Sequence, residues 1–193
     1  MNNERISDLL YQALQTEQDG GRIYETAMRC ATRERLRDEW ARQLHQTRHH
    51  EQVLLQVFEA LGLDPASHTP GRELVHRVGR SLVEVMEEAL RGGPAEQAEL
   101  LAGECVVQAE TKDQLNWELL GQVAGRLKGE EARALAAAHH EVGGQEDEHL
   151  QHSRAWVREL WRESLGLGTG TPAEARTQSE DALLRARSRR ASP

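Results

Sequence analysis

The stretch Val142-Gly143-Gly144-Gln145-Glu146-Asp147-Glu148-His149-Leu150-Gln151-His152-Ser153-Arg154-Ala155-Trp156 decides how this chain is read. On a helix, positions 142, 146, 149, 153, 156 and 160 fall on one stripe, in steps of four and three. That stripe is Val142, Glu146, His149, Ser153, Trp156 and Leu160. An acid and an imidazole thus share a face with a valine, a tryptophan and a leucine, and such a face turns towards a core. A buried carboxylate is costly unless it is paired, hydrogen-bonded or bound to a metal. Glu146-x-x-His149 is therefore a candidate half of a metal site.

Composition sets the frame around that stretch. A chain of 193 residues suits one domain with a tail and can bury a sizeable core. Its net charge of −8 argues against nucleic acid or an anionic membrane as the main partner. Cys30 and Cys105 form no Cys-x-x-Cys pair, which points to a reducing, cytoplasmic compartment without a disulfide framework. No apolar run approaches the roughly 18 residues of a membrane span, and the polar start Met1-Asn2-Asn3-Glu4-Arg5 does not read as a signal peptide. Abundant Ala, Leu, Glu, Arg and Gln, with few β-branched or aromatic residues, predict an all-α protein.

Five helices are expected. The first runs from about Asn3 to Cys30, with Ile6, Leu10, Ala13, Glu17, Gly20, Tyr24 and Ala27 on one stripe. Gly20-Gly21 within it costs about 1 kcal/mol per glycine against alanine, so close packing or a local bulge is expected there. Thr32 reads as the cap of a second helix, from about Arg33 to Leu61, with Leu36, Trp40, Thr47, His50, Leu54, Val57 and Leu61 facing inwards. A shorter third helix, about Glu73 to Arg91, has Leu74, Val78, Leu82, Val85, Met86 and Ala89 as its expected buried side, and Gly92-Gly93-Pro94 ends it. The fourth spans about Ala95 to Leu127 with Val106, Glu110, Asp113, Trp117, Leu120, Ala124 and Leu127 aligned; a competing stripe is Leu101, Cys105, Gln108, Leu115 and Leu119. The fifth spans about Glu130 to Leu165. Residues 1–165 are read as the helical bundle and 166–193 as a flexible tail, within which Ser179 to Ala191 has the pattern of a short helix.

The polar residues on the apolar stripes converge. In an antiparallel hairpin, residues equidistant from the turn lie at the same level. Glu110 and Glu146 are each 18 residues from position 128. Glu17 is 15 residues before Thr32 and mirrors Thr47, with His50 one turn further on. Carboxylates and imidazoles gathered at mid-bundle suit hard or borderline divalent metals. By contrast His68, His76, His139, His140 and His152 share no such alignment and are read as surface residues.

This pattern resembles the ferritin-like superfamily, in particular rubrerythrins, bacterioferritins and a small bacterial stress-associated group with an additional helix between the hairpins. The resemblance covers about residues 3–162. It rests on Ala13-Leu14-x-x-Glu17 with Tyr24, on Gln46-Thr47-Arg48 to Phe58-Glu59-Ala60-Leu61-Gly62, on Glu110, and on Glu146-x-x-His149. It implies a four-helix bundle of two long hairpins with a crossover helix, and Glu17, Glu110, Glu146 and His149 as metal ligands. The second helix departs from the family pattern, because no glutamate stands three residues before His45, His49 or His50. The stripe favours His50, with Thr47 where the acid belongs; matching around Gln46-Thr47 instead shifts the ligand pair towards His45 or Gln46 and Arg48 or His49.

The resemblance further implies iron, as a di-iron or single-metal centre with manganese or zinc as substitutes, and O₂ or peroxide as reactant. Tyr24 is the candidate catalytic residue, as a hydrogen-bond partner of a ligand carboxylate or a quencher of an oxidising equivalent. Three functions fit: a metal protein with Fe(II) oxidase or peroxide-protective activity in stress, a di-iron oxygenase of an organic substrate, and a metal-free helical interaction protein with a degenerate site. The third helix and the leftover stripes favour a homodimer.

Overall fold

The computed structural model describes residues 3–168; the expected tail, including its Ser179–Ala191 segment, lies largely outside them. Five helices follow in order: α1 (Asn3–Cys30), α2 (Glu34–Ala60), α3 (Pro70–Gly92), α4 (Ala95–Ala124) and α5 (Glu130–Ser164). There is no strand among the described residues, and no helix is long and apolar enough to cross a membrane. The architecture is a four-helix bundle with an extra crossover helix.

Side-chain pairs across the bundle give its directions. Going up α1, Thr16, Glu17 and Tyr24 meet Asn116, Trp117 and Glu110 in turn, so α1 and α4 are antiparallel. Glu39, Gln46 and His49 on α2 meet His152, Gln145 and Glu141 on α5, again antiparallel. The crossover α3 runs parallel to α1: Asp8 meets Thr69, Asp19 meets His76, and Arg29 meets Glu87. A chain leaving α2 at one end must start α4 at the other, and α3 covers that distance.

Local chemistry sets the ends. Gly62, at a left-handed φ of 64°, lets Leu63 N–H reach the Phe58 carbonyl at 2.9 Å and stops α2. Thr69 caps α3 by accepting from Arg72 N–H, with Pro70 in the first turn, which starts this helix earlier than the apolar pattern suggests. Thr32 does not cap α2. Arg33 holds the cap position, and the N–H groups of Thr32 and Arg33 both donate to the Glu99 carboxylate of α4.

The core follows the expected stripes of α1, α2, α4 and α5, with one correction at α3. Leu74, Val78 and Val85 are exposed, while Gly79 and Met86 are buried. Gly79 is the reason: a Cβ there would come within 2.7 Å of Asp19 Cβ, so α3 lies against α1 on the glycine side and the Leu74 side turns out. On α4 the stripe through Glu110 and Asp113 is the buried one, and Leu115 of the competing stripe is exposed. Gly20 and Gly21 lie within an unbroken α1, where a Cβ on Gly20 would meet Thr47 at 3.3 Å; close packing explains Gly20, while a Cβ on Gly21 would make an ordinary contact with Leu44 at 3.8 Å. Two histidines expected at the surface are tied down. His76 bonds the buried Asp19, and the His139 ring fills the space that Cβ atoms on Gly121 and Gly143 would need. Both cysteines are buried free thiols, pushed up to about 11 mainly by burial.

The bundle described above comprises residues up to Val157; of the second unit, which begins at Arg158, the described residues are 158–168. Within that unit α5 ends with Gly166 at φ 68° and Leu167 N–H on the Arg162 carbonyl.

Candidate metal centre

Each helix of the four-helix core delivers its polar residues to mid-bundle by the spacing that buries its apolar neighbours. α1 brings Glu17 between Leu14 and Tyr24, and α2 brings His50 between Thr47 and Leu54. α4 brings Glu110 and Asp113 between Val106 and Trp117, and α5 brings Glu146 and His149 below Val142. None of these six polar side chains is more than 4% exposed.

Two triads share Glu146: Glu17, His50 and Glu146 form one, and Glu110, Glu146 and His149 the other, with the donor atoms of each within 4.8 Å of one another. His50 Nδ1 lies 2.7 Å from Glu146 Oε1 and 3.7 Å from Glu17 Oε1. His149 Nδ1 lies 3.5 Å from both Glu110 Oε2 and Glu146 Oε1. The two imidazoles stack, with ring centroids 5.6 Å apart. Of the three histidines on α2, His50 alone faces this cluster; His49 is on the surface with Glu141, and His45 is exposed.

The outer sides of these groups are held by protein donors. Trp117 Nε1–H donates to Glu17 Oε1 at 2.8 Å, and the Tyr24 hydroxyl donates to Glu110 Oε1 at 2.6 Å. Tyr24 thus crosses to α4 although it shares a stripe with Glu17, because α4 packs against that stripe. Tyr11 points away, to the Asp64 carbonyl. The inner atoms have no hydrogen-bond partner: Glu17 Oε2, Glu110 Oε2, both Glu146 oxygens, His50 Nδ1, His149 Nδ1 and Asp113 Oδ1. The 2.7 Å approach of His50 to Glu146 is close but out of hydrogen-bond alignment.

The electrostatics are those of acids crowded together, with Lys112 opposing the rise at Asp113. Burial pushes Glu146 up to about 8, with Glu110 adding to the rise and His149 opposing it. Burial also holds Glu17 well above the carboxylate range, reinforced by Asp113 and Glu146. Asp113 is raised for the same reasons, burial first and then Glu146 and Glu110. Burial drops His50 to about 4, so its ring is neutral. Neutral imidazole nitrogens and carboxylates that resist ionising among themselves are what a divalent cation stabilises, since it replaces mutual repulsion by attraction. Mixed oxygen and nitrogen donors from five side chains, with inner lone pairs free, fit such an ion.

Asp113 lay on the expected stripe but outside the expected ligand set, and its repulsion with Glu146 and Glu110 places it beside the cluster. Gln46, an alternative ligand by the match around Gln46-Thr47, instead contacts the outer nitrogen of His149, and Gln145, which carries no sequence assignment, contacts that of His50. Their common signal is a Gln-x-x-x-His spacing shared by 46/50 and 145/149.

No family model, curated protein or solved structure matches the chain.

Proposed function

We propose that this chain is a ferritin-like metal protein that holds iron through Glu17, His50, Glu110, Glu146 and His149 and supports Fe(II) oxidation or peroxide protection under stress. The observation that carries this is the set of inner lone pairs: six atoms of these five residues converge at mid-bundle without a hydrogen-bond partner. Iron bound there would supply redox chemistry towards O₂ or peroxide. The chain's own residues do the rest. Glu146 belongs to both triads; with Glu17 and His50 it would hold one ion, and with Glu110 and His149 another. Trp117 and Tyr24 each donate to one oxygen of Glu17 and Glu110, which leaves the other oxygen of each without a hydrogen-bond partner. Tyr24 also places a buried phenol one hydrogen bond from a ligand, where it can take up an oxidising equivalent. Burial by Trp117, Leu54 and Val142 excludes water from the surroundings.

Metal analysis of protein purified from iron-supplemented cells, beside Glu146→Ala, tests this. Stoichiometric iron in the natural chain and none in the variant is expected; absence of metal, or metal unaffected by the substitution, would sink it. For Tyr24→Phe the expectation is unchanged iron content with more oxidative damage to the protein after Fe(II) and peroxide exposure. Unchanged damage removes the role of Tyr24.

One observation favours a metal-free structural centre instead. Thr47, 2% exposed, stands where a second bridging acid belongs. The same metal analysis separates the two.

A further inference from the structure

The two imidazoles are held from behind by a crossed pair of carboxamides. His149 Nε2 lies 3.0 Å from Gln46 Oε1, and His50 Nε2 lies 3.1 Å from Gln145 Oε1. Gln46 Nε2 donates to Gln145 Oε1 at 3.0 Å. Each glutamine therefore serves the histidine of the other helix, α2 to α5 and α5 to α2. Each also stands four residues before the histidine of its own helix. The arrangement is a local two-fold, kept although its neighbours Thr47 and Glu146 differ.

A carboxamide oxygen carries only lone pairs, so both contacts require Nε2–H on the imidazole. A neutral ring protonated at Nε2 has its lone pair at Nδ1. Both Nδ1 atoms face the carboxylates, His50 Nδ1 at 2.7 Å from Glu146 and His149 Nδ1 at 3.5 Å from Glu110 and Glu146. A glutamate in place of either glutamine would also accept from Nε2–H, but would add negative charge beside Glu17, Glu110, Asp113 and Glu146. The neutral amide fixes the ring without that cost. Gln145 Oε1 accepts from both His50 and Gln46, which makes it the node of the chain.

We propose that Gln46 and Gln145 are positioning residues that hold His50 and His149 as Nε2–H tautomers and join the two triads into one hydrogen-bonded unit. The role in metal binding rests on the metal-centre function proposed above; the tautomers do not. Outer partners of a ligating histidine raise its basicity and fix its ring, and their loss weakens metal binding about 10–100-fold.

The test uses the full chain with ¹⁵N-labelled histidine, metal-free at neutral pH, and three variants: Gln46→Met, Gln145→Met and Gln145→Glu. Methionine matches glutamine in shape and removes the hydrogen bonds. In the natural chain both rings are expected to show a pyrrole-type Nε2 and a pyridine-type Nδ1. Gln46→Met is expected to mix the tautomers of His149 and leave His50 unchanged. Gln145→Met mixes those of His50, and Gln145→Glu restores them. Zinc(II) titration of the same proteins should show affinity about 10–100-fold weaker in both methionine variants. Nδ1–H rings in the natural chain, or tautomers unmoved in both methionine variants, overturn the proposal. Expected tautomers with no zinc binding by the natural chain overturn the metal centre alone and leave the tautomer assignment standing.

Discussion

Buried carboxylates occur in two regions of this bundle and meet opposite surroundings. Where α2 begins, Glu99 is 1% exposed. Its Oε1 accepts from the N–H groups of Thr32 and Arg33 at 2.8 and 2.9 Å, and its Oε2 lies 3.5 Å from Arg33 Nε. The charge is answered by the free donors of a helix start and by a guanidinium. At mid-bundle Glu17, Glu110, Asp113 and Glu146 are equally deep, yet face one another and two imidazoles. Depth alone therefore does not mark a metal centre. What distinguishes the two regions is whether the protein itself supplies the opposing charge and the hydrogen bonds.

The largest effect expected from this difference is at Glu99. Glu99→Leu strands two backbone donors, and should cost about 3 kcal/mol. Glu146→Leu in the metal-free chain removes an unanswered buried acid and should be neutral or stabilising, as when buried charges give way to apolar side chains. Urea unfolding of both metal-free variants checks the pair, and equal losses would erase the distinction.

A smaller effect should appear with pH. Glu146 is raised from 4.5 to about 8, so the unfolded chain releases this proton first and the metal-free fold loses stability as pH rises across that interval. His50, lowered from 6.5 to about 4, binds its proton more readily when unfolded and adds stability as pH rises between those values. The two oppose each other up to pH 6.5, and above it Glu146 acts without that offset. Glu146 should then take about 2 kcal/mol from the stability of the metal-free chain between pH 6.5 and 8, at about 1.4 kcal/mol per unit, and Glu17 and Asp113, also raised, act in the same direction. Glu146→Gln should reduce that slope in denaturant titrations at each pH and leave the share of Glu17 and Asp113. Metal reverses it, because binding displaces the protons.

The smallest effect sharpens the contrast between α2 and α5. Thr47→Glu supplies the acid that mirrors Glu146. Metal affinity should rise about tenfold, or about 1.4 kcal/mol, read by competition with a chelator of known strength. Weaker binding would mean that Thr47 completes the site as it stands.

Much of the fold was legible because burial leaves a period in the residues. The stripes through Glu17, His50, Glu110 and Glu146 are the ones that turn inwards, and counting from the turns placed Glu110 level with Glu146. Where two stripes compete, periodicity cannot choose. On α3 the Leu74–Val78–Val85 side is the more apolar, yet the glycine at 79 decides by letting backbone approach Asp19. The α2 cap was misread for a related reason: a threonine in the right place signals a cap locally, but a glutamate 67 residues away does the work.

The sequence by itself determined five helices, two hairpins and a polar layer at mid-bundle, because each depends on spacing within one helix or on distance from one turn. Only the tertiary structure decided that Tyr24 bonds Glu110 rather than Glu17, that His50 rather than His49 or His45 joins the layer, and that Gln46 and Gln145 exchange partners across α2 and α5. Those contacts depend on how helices rotate against each other. Rotation is set by the packing of all the side chains between them, which no single stretch encodes.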